Sequence, residues 1–119
     1  MRKEIVTLGI ILGALSLSEL AFSRPVRKQA GNLTGWTCAK CPKSFWDGWL
    51  IDINHIKPVW EGGGDEPSNA EPLCLEDHYK FHKNRGNGED KKASRLILSR
   101  IQHSHGGRTR SWIAKHGTS

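Results

Sequence analysis

The chain has 119 residues, with 18 Lys and Arg against 12 Asp and Glu, for a formal net charge of +6. That length has room for one domain with a small core, which a metal or disulfide staple would help to hold. The charge favours anionic partners, nucleic acid above all, although solubility alone would also account for it.

Taken in chain order, the N-terminus reads as a targeting segment. Arg2 and Lys3 precede the apolar run Ile5 to Leu15, and Ala21 and Ser23 occupy the small-residue positions of a cleavage site. The run is too short to span a bilayer comfortably. The expectation is a signal peptide over residues 1–23, with Arg24 beginning an exported chain that keeps no membrane span. The competing reading is an amphipathic or buried helix on a cytoplasmic protein, which Glu19 would suit. Residues 24–35, "RPVRKQAGNLTG", are basic and show no periodicity, and they read as a linker. A domain is expected over 36–85 and a basic C-terminal helix and tail over 86–119.

Within that domain "TCAKCPKSFWDG" has the punctuation of a metal-binding turn, and Cys38 and Cys41 form a C-x-x-C pair. Only Cys74 accompanies them, and an odd count does not suit a closed disulfide framework. In an exported protein a disulfide to Cys74 remains an alternative. Trp36, Trp46, Trp49 and Trp60 surround this region and are read as core and wall. "WLIDINHI" is β-branched and aromatic and predicts a strand. "EGGGDEPSN", Glu61 to Asn69, predicts a loop, and "AEPLC" a short extended segment. "LEDHYKFHKN" predicts a helix stopped by Gly86 and Gly88. "EDKKASRLILSRIQHS" predicts a second, with Leu96, Ile97 and Ile101 as its apolar stripe. The tail reads as frayed and basic, anchored by Trp112 and Ile113.

Three elements carry chemistry. His55 ends the predicted strand, Asn69 follows the glycine loop, and His78 and His82 lie i, i+4 on the predicted helix. That last spacing places two imidazoles on one helix face, about 5–6 Å apart at Cβ, which suits chelation of a divalent ion. Phosphodiester hydrolysis wants these groups. A metal ion stabilises charge on the phosphate and leaving oxygen, and a neutral imidazole takes a proton from the attacking water.

In this order, "DINHIKPVWEGGGDEPSNAEPLCLEDHYKFH" resembles the ββα-metal core of the HNH endonuclease family, over about residues 36–83. The resemblance implies a small α+β fold, namely a ββα-metal hairpin plus helix with a Cys-rich zinc knuckle and an additional C-terminal helix. It makes His55 the general base, Asn69 the central Asn and His78 a metal ligand, with His82 the further ligand of colicin-like members. The residue before the base is usually Asp or His in the family and binds metal, and Asn54 stands there. Asp52, three before the base, is a frequent family feature and a helper at the metal. The active-site ion would be Mg, Mn, Ni or Zn. Relatives often carry a second C-x-x-C before the last His, and here Asp77 replaces its final Cys. A structural zinc on Cys38, Cys41, Cys74 and Asp77 is one reading, beside a three-ligand site or an oxidised pair.

Arg95, Arg100, Arg108 and Arg110 are the residues expected to grip phosphates without reading sequence. A solvated helix face is the bland alternative. The function expected is a DNA endonuclease of low sequence specificity, with RNA left open as a substrate. A toxin-like or nutrient-scavenging role would be a variant of it. The competing function is a non-catalytic zinc-binding module that binds nucleic acid.

Overall fold

A computed structural model describes residues 21–117, so most of the expected leader, residues 1–20, lies outside it. Helix α1 (Arg24–Thr34) is followed by a short turn, strand β1 (Ile51–His55) and a glycine-rich loop. Strand β2 (Ala70–Cys74) comes next, then helices α2 (Leu75–Arg85), α3 (Gly88–Gln102) and α4 (Arg110–His116). β1 and β2 pair antiparallel, with Ile51 opposite Cys74 and His55 opposite Ala70. α2 leaves β2 without a linker, so the expected hairpin plus helix is present, inside a small α+β fold.

Local chemistry explains the junctions. Cys74 caps α2, its sulfur accepting from the Asp77 amide, and Glu76 and Asp77 place negative charge in the first turn, where the helix dipole favours it. Gly86, in the left-handed region at φ 70°, ends α2. Asn87 then caps α3. The hydrophobic centre is small. Leu73, Cys74 and Leu75 are fully buried, with Cys38 beside them and Ile51 and Phe81 packed around. The loop between the strands folds back so tightly that a Cβ on Gly63 would meet the Lys57 carbonyl oxygen at 1.7 Å. Glycine is therefore required there.

Two segments and one side chain differ from expectation. Residues 24–34, read as a linker, form α1 and pack on β2, β1 and the turn before β2. Their own pattern is a weak helix signal, and tertiary contacts supply the rest. Gly31 lies under the Trp36 ring, close enough that any Cβ would clash at 2.1 Å, and the Trp36 amide donates to the Gly31 carbonyl. The tail is not frayed either. Thr109 caps α4 through the Trp112 amide, and the Leu50 amide donates to the Gly107 carbonyl at 2.7 Å, fastening the tail to the start of β1. Trp46, expected in the core or wall, is 71% exposed. Among the described residues no helix is long and apolar enough to cross a membrane.

Candidate active site and knuckle

The two strands deliver His55 to the end of β1, with its side chain nearly buried. Asn69 fixes the chain just beyond it. Its Oδ1 accepts from the Lys57 amide at 2.7 Å, and its Nδ2 donates to the carbonyls of Lys57 and Gly64, each at 3.1 Å. These bonds all go to backbone. Asn69 therefore positions the segment that carries His55, and its contacts with the site run through that backbone.

One face of the His55 ring is covered by Phe22, with centroids 3.7 Å apart and planes 6° from parallel. Burial lowers the imidazole pKa below its ordinary value, with Asp65 and Glu66 pulling the other way. The neutral form, the one that can accept a proton, is favoured. Phe22 was hidden to sequence reading because it closes the apolar leader pattern.

The i, i+4 pair on α2 is set by two carboxylates. His78 Nδ1 lies 2.8 Å from Asp52 Oδ2, and His82 Nδ1 lies 2.6 Å from Asp90 Oδ1. The two rings have centroids 5.0 Å apart. A carboxylate at Nδ1 assigns the proton to that nitrogen and leaves the Nε2 lone pair for a metal, the arrangement common to ligating histidines. Burial lowers the His82 pKa against the opposing pull of Asp90, which again favours the metal-binding neutral ring. Asp90 is fully buried, and Arg85 Nε reaches both of its oxygens at 3.1 Å. No sequence spacing pointed to Asp90, because it meets His82 only after the chain turns between α2 and α3.

Asp52, expected as a helper at the metal, is bonded to His78 and Arg100. Its Oδ2 serves His78 and Arg100, and its Oδ1 accepts from Arg100 at 3.0 Å, so it orients the His78 ring. Burial would raise its pKa, but the bonds from His78 and Arg100 hold it below the ordinary carboxylate range. Arg100 is accordingly committed to Asp52. Arg108 lies between the faces of Trp49 and Trp112, at 3.5 and 4.0 Å, and is committed as well. Of the four arginines expected on substrate, Arg95 and Arg110 are exposed and make no such contacts among the described residues.

His55, His78 and His82 line one cleft of about 810 Å³, together with Asn54 and Trp60. Asn54 Nδ2 and Trp60 Nε1 are the buried side-chain polar atoms without a partner among the described residues. Internal hydrogen bonding is thus incomplete where a ligand would seat. The Asn54 amide can also turn over and present its oxygen, which fits a hard cation better than its nitrogen does. The Nε2 atoms of His78 and His82 and an amide oxygen of Asn54 are thus the donors that this cleft offers to a divalent metal.

The knuckle lies on the other side of α2. One ligand atom each from Cys38, Cys41, Cys74 and Asp77 falls within 4.8 Å of all the others. Cys41 and Cys74 sulfurs are 3.8 Å apart, and Asp77 Oδ2 is 3.2 Å from Cys38 and 3.4 Å from Cys74. Tetrahedral zinc with Zn–S near 2.3 Å places its sulfurs about 3.8 Å apart, so three thiols and a carboxylate fit. All three cysteines are free thiols. Burial pushes the Cys41 and Cys74 thiols up. Burial would raise Asp77 too, but the three thiols donating to it hold its carboxyl low. A cation replacing the shared protons would relieve that crowding.

Residues 38–84 match the family model described as HNH endonuclease. The matched span includes the four knuckle residues, the hairpin and the His78–His82 pair. No curated protein and no solved structure was found to match the chain.

Proposed function

We propose, from the HNH endonuclease match over residues 38–84, that this chain is a metal-dependent endonuclease hydrolysing phosphodiester bonds in DNA, with His55 as general base. The observation that carries the reading is the convergence of three imidazoles on one cleft, two of them with Nδ1 fixed by a carboxylate.

His55 takes the proton of the attacking water as the new P–O bond forms, and the scissile P–O bond breaks on the opposite side. Its depressed pKa keeps it unprotonated at neutral pH. Asn69 holds the backbone beyond it, and Phe22 limits the ring to one plane. Bound through His78 and His82, with Asn54 beside them, Mg, Mn, Ni or Zn would stabilise charge on the phosphate and the leaving oxygen. Asp52 and Asp90 keep the two ligand rings in register. The knuckle would hold structural zinc on Cys38, Cys41, Cys74 and Asp77, tying the start of the domain to α2.

A plasmid-nicking assay across Mg²⁺, Mn²⁺, Ni²⁺ and Zn²⁺, against EDTA, tests the reading. Metal-dependent nicking supports it. Tight DNA binding with no cleavage in any metal would favour the second reading, a zinc-binding nucleic-acid module. The neutral amide at Asn54 and the intact knuckle speak for that alternative.

A further inference from the structure

We infer that α1 is a substrate-binding wall, with Arg24, Arg27 and Lys28 holding the phosphates of a nucleic-acid strand laid along the cleft. The inference rests on the nucleic-acid substrate of the proposed function and adds a site on a segment that lies before the matched domain.

Arg24, Arg27 and Lys28 stand at i, i+3 and i+4, so they share one face of α1. All three line the cleft that holds His55, His78 and His82, and all three are exposed. Among the described residues none of them makes an ion pair, whereas Arg85 and Arg100 are both spoken for. The basic residues left to meet an anion at the cleft are therefore those of α1.

The wall is fixed in place at both ends. At its start Phe22 is buried against His55, and the Ser23 amide donates to Asp65 Oδ1 at 2.9 Å. At its end Gly31 is locked beneath Trp36, whose indole N–H donates to Asn32 Oδ1 at 3.2 Å. A solvated basic face needs no such anchoring, but a surface that must hold a strand in register with the base does. From Arg24 to Lys28 the helix rises about 6 Å. One strand of B-DNA advances about 3.4 Å per phosphate, so the row spans roughly two phosphate steps. Of the two negative groups that act on His55, Asp65 accepts from the Ser23 amide at the start of α1, and Glu66 lies on the glycine loop.

The test is equilibrium binding of a labelled B-DNA duplex to the full chain, by anisotropy, over a salt series with no added divalent cation and no chelator. Arg24→Gln, Arg27→Gln and Lys28→Gln combined should flatten the plot of log K against log salt by about 2 to 3, at roughly 0.9 for each phosphate no longer neutralised. Affinity at low salt should fall at least about tenfold, by the same counterion reasoning. Arg24→Lys with Arg27→Lys, which keeps the charge, should retain the slope. An unchanged slope in the Gln variant, with its circular dichroism intact, overturns the inference. Duplex bound by the unsubstituted chain but cut in no metal sinks the nuclease reading and leaves this wall standing. No duplex binding by the unsubstituted chain overturns the inference, and nicking in any metal would still keep the nuclease reading.

Discussion

α2 presents two donor sets of different kinds, Asp77 on one face and His78 with His82 on another. On one face Asp77 joins three cysteines in a cluster whose donor atoms all lie within 4.8 Å of one another. On the other, His78 and His82 are held apart from each other, each tethered to its own carboxylate. A cage whose four donors close on one point leaves no room for substrate, which is how structural sites are built. A pair of imidazoles steered from behind leaves open positions towards a cleft, which is what reactive sites need. One helix can serve both because side chains at i and i+1 leave it in different directions.

The comparison breaks most sharply at His55. His55→Ala is expected to lower nicking by about 10²–10⁴-fold, the usual worth of a positioned base, while metal content and melting temperature stay near the parent. Cleavage at the parental rate would sink the base assignment. On the knuckle side the expected loss is of the fold. Cys38→Ala should lower the melting temperature by roughly 10 °C or more, the consequence of losing about 2–3 kcal/mol in a domain of this size. If calorimetry shows no shift, the knuckle is not a structural tie.

A smaller effect is expected behind the ligands. Asp90→Asn presents an amide to His82 Nδ1 and favours the wrong tautomer. Metal affinity at the cleft should fall by about 10–100-fold, read by titration calorimetry, with the cysteine site still filled. Equal loss at both sites would mean that the two faces are not independent. The smallest effect is electrostatic. In metal-free protein His55 should titrate below 6.5, its ordinary value. Phe22→Ala admits water to the ring, so the titration followed by NMR should move up towards that value. A downward move would contradict the role given to burial.

Much of the hairpin and of the helix after it was legible because their signals are local. "AEPLC" is β2 to the residue, and the predicted helix from Leu75 to Asn84 is α2 with one residue added. The cysteine spacing and Asp77 likewise led to the cluster that forms. The tasks of Asp52, Arg100 and Asp90 were not legible. Each depends on a contact made after folding, such as the one Arg100 makes with Asp52 across 48 positions. α1 was missed for a related reason. Pro25 at its start and Gly31 within it weaken the helix pattern, yet the first is tolerated in an opening turn and the second is what lets Trp36 approach. For Arg108, sequence shows a charge and not the two indoles that enclose it.

Phe22 lies just ahead of the Ser23–Arg24 bond, where the leader pattern would place a cut. A peptidase acting there would strip the ring from His55 and the cap position from α1 in one step. It would also set a new α-ammonium at Arg24 on the cleft wall. Maturation would then be an act of tuning as well as of release. The precursor would hold a drier base of lower pKa, and the product a wetter base at the edge of a more positive trough.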